Sequence, residues 1–168
     1  MLKIKDKKYK NIIKPIVRDS LFKKTYYIEH HGISRMEHMM KISYYSYNIA
    51  KKLNMDCEAV ARGALLHDFY LDGDERGKGK KFFDTFSHPK KALKTANENF
   101  SLSEKEKNII VSHMFPIYPA LPKYKESILV NVVDKVVGGY ELARRAKCNF
   151  KYKLGYVLVL LAVFINTN

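Results

Sequence analysis

Ala64-Leu65-Leu66-His67-Asp68 is an apolar run closed by an imidazole and a carboxylate, and its reading decides the fold. Upstream, Asp56 is a cap candidate for a short helix ending at this pair. Val60, Gly63, Ala64 and His67 then share one helical face, which turns His67 inward. His38 lies before the pair, and His88, His113 and Asp134 lie after it. All six are residue types that bind borderline divalent metals through imidazole nitrogen or carboxylate oxygen. Each falls in a different predicted helix or helix end, so the fold, and not one local loop, would assemble the site. A metal-dependent hydrolase is the leading reading.

The surrounding chain reads as helix nearly throughout. Ile12, Ile13, Ile16 and Val17 at helical spacing predict a helix over 5–24, with Pro15 as kink or boundary and Asn11 as an alternative start. His30-His31-Gly32 marks an exposed break. Ser34-Arg35-Met36-Glu37 is a capping box for a helix reaching about Leu53. Its inward stripe is His38, Ile42, Tyr45, Ile49 and Leu53. Leu71 to Lys81, with Gly73, Gly77 and Gly79, is a polar loop beside the ligands. Ser87 caps a helix over His88 to Phe100, with Pro89 in its first turn. Ser103 and Glu106 form a second capping box, and the helix that follows faces Ile109, Ile110 and His113 to one side. Pro116, Pro119 and Pro122 define a connection. Ser127 to Arg145 is apolar almost all round and is expected at the centre of the bundle. Leu154 to Ile165, apolar apart from Gly155, is a last helix. It falls short of the roughly 20 apolar residues that span a bilayer and is expected to pack on protein.

The composition is that of a soluble globular chain, with 46% hydrophobic and 29% charged residues in 168. A length of 168 residues suits one domain, 1–168, with a metal-binding core over about 30–147. Two cysteines, Cys57 and Cys148, give neither a disulfide framework nor a CxxC pair, and no apolar run follows the basic start. A cytoplasmic location is the expectation. The net charge of +14 comes from 31 Lys+Arg against 17 Asp+Glu spread along the chain. Such a spread favours a field that attracts a small anionic substrate over a nucleic-acid face, where the charge would be concentrated.

Taken singly, each candidate ligand has an ordinary structural role: His38 and His113 as core histidines, His88 as a helix-end residue, Asp134 in a buried ion pair. A carboxylate in a Val-rich helix must meet a cation, donors or a metal, because burying it alone is costly. With no cation beside it, Asp134→Asn would cost the metal-free protein no stability. Together, four histidines and two aspartates in this order weaken the ordinary readings.

The order His38, His67-Asp68, His88, His113, Asp134 resembles the HD superfamily of metal-dependent phosphohydrolases, from His38 to about Lys147. The contexts agree: Arg35-x-x-His38 opening a helix, Ala64 to Asp68 closing one, His88-Pro89 starting one, Asp134 in the last core helix. The pair His88 and His113 is similar to the dinuclear branch, which includes bacterial HD-type diadenosine tetraphosphate hydrolases. The resemblance implies an all-α helical bundle. It implies a first metal on His38, His67, Asp68 and Asp134, with Asp68 bridging to a second held by His88 and His113, and Asp68 as the catalytic centre of the set. It implies hydrolysis of a small phosphate ester or anhydride, most plausibly a nucleotide. Two divalent transition metals are expected, iron or manganese first, with cobalt, nickel or zinc as alternatives.

Where many members follow His-Asp with Gly and Lys, this chain has Phe69-Tyr70-Leu71. Lys80, Lys81 and Arg144 are the candidates for binding substrate phosphate, with Arg62 and Arg145 as further ones. Two other functions stay open. One is a dinuclear-iron oxygenase of the same superfamily; the other is a metal-stabilised regulatory or nucleic-acid-binding module. A homodimer is a further open state, and no transmembrane segment is expected.

Overall fold

Asp6, Asp19, Ser34, Asp56 and Ser103 each accept a hydrogen bond from the backbone N–H three residues on, and each starts a helix. The pattern is the side-chain cap that satisfies a first-turn donor. This computed structural model describes residues 4–30, 32–71 and 81–166, with side chains described to residue 147 apart from 81–86. Helices α1 (Lys7–Arg18) and α2 (Ser20–Lys24) lead through a turn of 3-10 helix, Thr25–Tyr27, into a minimal antiparallel hairpin, β1 (Glu29–His30) and β2 (Ile33–Ser34). Then come α3 (Arg35–Lys52), α4 (Cys57–Leu66), α5 (Lys81–Asn99), α6 (Glu104–Ser112) and α7 (Lys125–Asn166). The architecture is an all-α helical bundle.

Helix α4 occupies the centre. Ala59, Val60, Ala61, Gly63, Ala64, Leu65 and Leu66 are all buried, and α1, α3, α6 and α7 pack around them. Gly63 allows a close crossing: a Cβ there would stand 3.0 Å from the Ile109 side chain of α6. Tyr9, Ile13 and Ile16 of α1 join Phe22, Met39, Tyr47, Leu65, Leu66 and Phe69 in the larger core cluster. Burial of this apolar surface is the main stabilising term of the bundle.

Several sequence expectations need correction. Helix α1 runs through Pro15, and the boundary falls at Asp19, whose carboxylate caps the next helix. The inward face of α3 is not the stripe through Tyr45, Ile49 and Leu53, which are exposed. It is His38, Met39, Ile42, Ser43, Ser46, Tyr47 and Ala50. Polar Ser43 can lie inside because its hydroxyl donates to Ala61 O at 2.6 Å and accepts from the Tyr9 hydroxyl at 2.8 Å. Helix α5 begins at Lys81 rather than at Ser87, so Pro89 is interior. Proline there removes one N–H donor but leaves the rest of the helix intact. Helix α7 is not central: Val130 and Val133 are buried, but Ile128, Val132, Val136 and Tyr140 are exposed along its outer side. Nor is Leu154 to Ile165 a separate helix, since α7 continues through it to Asn166. What its side chains pack on lies outside the described residues, as does most of the Gly-rich loop after Leu71. Among the described residues, no helix is long and apolar enough to cross a membrane.

Candidate metal centre

Helices α4 and α6 stop in the same way. His67 and His113 each follow the last helical residue, and each ring returns to the carbonyl three residues back. His67 Nδ1 lies 2.8 Å from Ala64 O, and His113 Nδ1 lies 2.7 Å from Ile110 O. A carbonyl only accepts, so Nδ1 carries a proton in both rings, and Nε2 is the nitrogen that offers a lone pair when the ring is neutral. Both Nε2 atoms point to a common interior space. Asn131 of α7 holds the end of α6 in register by donating to His113 O at 2.6 Å and Phe115 O at 2.8 Å.

Asp68, the next residue after His67, stands in the middle. Its Oδ1 is 3.5 Å from Nε2 of both His88 and His113. Its Oδ2 is 3.7 Å from His67 Nε2. On the other side, Asp134 Oδ1 is 3.1 Å from His38 Nε2 and 3.5 Å from His67 Nε2. The His88 and His113 Nε2 atoms are 3.0 Å apart. Thus α3, α4, α5, α6 and α7 each bring at least one of the six sequence-derived candidates to a single locus. All are buried or nearly so, Asp134 being the most open at 13% side-chain exposure.

Two further residues belong to this locus. Glu141 receives His38 Nδ1 at 2.8 Å and is braced by Lys41 at 3.1 Å. It lies seven residues after Asp134, two helical turns on, so the shared face was the signal available in the sequence. His30 was expected in an exposed break, but its Nε2 is 3.6 Å from Asp68 Oδ2 and its ring lies over His38. The hairpin that carries it is too short to leave a sequence period. At the far edge, Arg35 lies over the Tyr70 ring and donates to Tyr70 O at 2.7 Å, and that ring stacks on His88.

The electrostatics divide the locus in two. Burial lowers the pKa of His38, but hydrogen bonds to Asp134 and Glu141 outweigh it and hold the imidazole up to about 9. His67 is also raised, through Asp68 and Asp134, against its burial. His113 goes the other way, pushed down to about 4 by burial and by the neighbouring His67. Burial would raise the carboxyls of Asp68 and Asp134, but the surrounding imidazoles hold both well below the usual range. Asp134 therefore has a protein partner in His38, which overturns the expectation of an unpaired carboxylate.

Whether the donors suit a metal can be read from what they leave unsatisfied. His67 Nε2 and Asp68 Oδ1 are fully buried and have no hydrogen-bond partner among the described residues. Buried polar atoms are rarely left so. Imidazole nitrogens fixed by backbone carbonyls, aimed at carboxylate oxygens 3.5–3.7 Å away, fit a divalent cation.

The candidate phosphate-binding cations fare differently. Arg62 is committed to Glu106 and to Ser101 O, and Arg145 to Glu29. Arg144 is exposed on α7. Lys80 lies outside the described residues, and Lys81 is described only as the backbone start of α5. A cation the sequence did not single out, Lys135, donates to Phe115 O at 2.7 Å, and its neighbour in sequence is Asp134.

A helical bundle that gathers histidines and aspartates from five helices around one buried point offers the donor set of a metal site. Among known families, residues 35–138 match the HD domain. The chain belongs to the HD domain family, within the metal-dependent phosphohydrolase superfamily, whose members bind divalent metals. No curated protein and no solved structure matches it.

Proposed function

We propose that the chain holds two divalent transition metals and hydrolyses a small phosphate ester or anhydride, a nucleotide being the substrate class. The observation that carries this reading is the placement of Asp68. One carboxylate oxygen faces His88 and His113 equally, at 3.5 Å, and the other faces His67. In this reading His38, His67, Asp68 and Asp134 hold the first ion, and Asp68, His88 and His113 hold the second. Iron or manganese suits such imidazole and carboxylate donors. Bound there, the ions would supply Lewis acidity toward the phosphoryl group and an acidified water.

The chain's own residues do the remaining work. Asp68 fixes the spacing of the two sites. His67 and His113 hold their tautomers through Ala64 O and Ile110 O, and Glu141 fixes the ring of His38. The net charge of +14 supports attraction of an anionic substrate over a distance. One domain of 1–168 is part of this reading, because α1 contributes Tyr9, Ile13 and Ile16 to the core. The test is a phosphate-release screen across nucleotides and simple phosphate esters, with protein reloaded with manganese or iron, run with and without oxygen. Release that is metal-dependent and indifferent to oxygen is expected. Turnover that requires oxygen would replace hydrolysis by oxidation.

A further inference from the structure

The hairpin ahead of α3 is anchored more firmly than its two-residue strands require. Arg35 N donates to Ile28 O at 2.8 Å, fixing its base to α3. Arg145 of α7 reaches back to Glu29 at 2.9 Å. The Arg145 side chain also packs against the turn at Gly32, where φ is +87° and a Cβ would sit 3.4 Å from it. At +87° only glycine is unstrained. Glu29 pairs with Ser34, and His30 pairs with Ile33. The position of His30 is thus set from both sides, by α3 and by α7.

The His30 ring lies over the His38 ring with centroids 4.5 Å apart. Its Nε2 is 3.6 Å from Asp68 Oδ2, the same oxygen that faces His67. Nitrogen donors of His30 and His38 and an oxygen of Asp68 all lie within 4.8 Å of one another. Around a six-coordinate ion with bonds of about 2.1 Å, adjacent donors stand about 3 Å apart and opposite ones about 4.2 Å. The separations His38–Asp134 (3.1 Å), His67–Asp134 (3.5 Å), His30–Asp68 (3.6 Å) and His67–Asp68 (3.7 Å) all fall in that interval. The second site, on the Oδ1 side of Asp68, is faced by His88 and His113 instead.

We propose that His30 is a fifth protein ligand of the first metal, joining His38, His67, Asp68 and Asp134 and leaving one position for water. This rests on the dinuclear reading above. It makes the two sites unequal in kind: the first is nearly saturated by protein, and the second keeps more positions for substrate. With 20% of its side chain exposed, His30 is also the donor that solvent reaches most readily among the three histidines and two aspartates on that side.

The test uses cobalt(II) as probe, titrated into metal-free full-length protein and followed by its visible spectrum and by competition with a chelator. Wild type is expected to take up two ions. His30→Ala should bind the first ion at least about 100-fold more weakly, as loss of a ligand or its support does. Its cobalt spectrum should change, and the second site should stay filled. In His30→Gly, added imidazole should restore the wild-type spectrum, because the position opens to solvent. That rescue also keeps the test valid if His30→Ala folds poorly. If His30→Ala binds both ions with wild-type affinity and spectrum, the inference fails, whatever happens to phosphate release. If added imidazole leaves the His30→Gly spectrum unchanged, it fails as well. If wild type binds no ion, the dinuclear reading falls and takes this inference with it.

Discussion

The two halves of the centre share Asp68 and are otherwise built differently. On one side His38, His67 and Asp134 come from α3, α4 and α7, and Glu141 stands behind His38. That side is anionic, and it holds His38 up to about 9. On the other side two imidazoles from α5 and α6 face Asp68 Oδ1, and burial with the neighbouring His67 pushes His113 down to about 4. The first half is prepaired and must shed a proton to bind metal. In the second, His113 is neutral near pH 7, and Asp68 Oδ1 stands 3.5 Å from its Nε2. The difference teaches that one carboxylate, Asp68, joins an anionic half where His38 is raised to a half where His113 is lowered.

The largest effect should come from breaking that coupling. Asp68→Ala is expected to lower hydrolysis at least about 1000-fold and to weaken both metals, since several kcal/mol of charge stabilisation depends on them. His31→Ala, at a position outside the described residues, should stay near wild type. Near-normal turnover by Asp68→Ala would remove the bridging role. Next, His113→Ala should lose the second ion and keep the first, as counted by elemental analysis after dialysis. Loss of both would show that the halves do not separate. Glu141→Gln should weaken the first ion by about 10- to 100-fold and leave the second unchanged, because it only orients and polarises His38.

Two smaller effects concern the metal-free protein. Asp134→Asn should destabilise it by about 1–3 kcal/mol in denaturant melts, since the His38 hydrogen bond loses its charged partner. This reverses the outcome expected while Asp134 was read as unpaired, and an unchanged melt would restore that view. The pH dependence should have opposite signs in the two halves. His38 is raised from an ordinary 6.5 to about 9, so its contribution is full below 6.5 and is lost as pH rises through 9. His113 is lowered from 6.5 to about 4, so its contribution is full above 6.5 and is lost as pH falls toward 4. The Tm of the chelator-treated protein should therefore pass through a maximum near pH 6.5. A Tm that rises steadily from pH 6.5 to 9 would contradict the pairing of His38.

The helical bundle could be read from the sequence because its caps and apolar periods are local. Asp56, Ser34 and Ser103 each announce a helix within four residues. The six candidate ligands could be read for a similar reason, as each is a chemically distinctive residue at a helix end or on a buried face. His30 could not, because a two-residue strand has no period and its neighbour Gly32 signals only a break. Serines misled the reading of α3: Ser43 and Ser46 count as polar in a pattern but are buried, Ser43 by hydrogen bonds to Ala61 and Tyr9. Helix α7 misled in the opposite direction. Its apolar residues outnumber what its one packed face can bury, so Val132 and Val136 face outward. Patterns report which residues prefer burial, and only tertiary packing decides how many obtain it.

The most direct test is a metal count on purified full-length protein, by elemental analysis, beside His113→Ala and Asp68→Ala prepared identically. Two transition-metal ions per chain in wild type, one in His113→Ala and fewer than one in Asp68→Ala is the result this account predicts. A wild-type protein that retains no transition metal, or an Asp68→Ala protein that retains two, would contradict it.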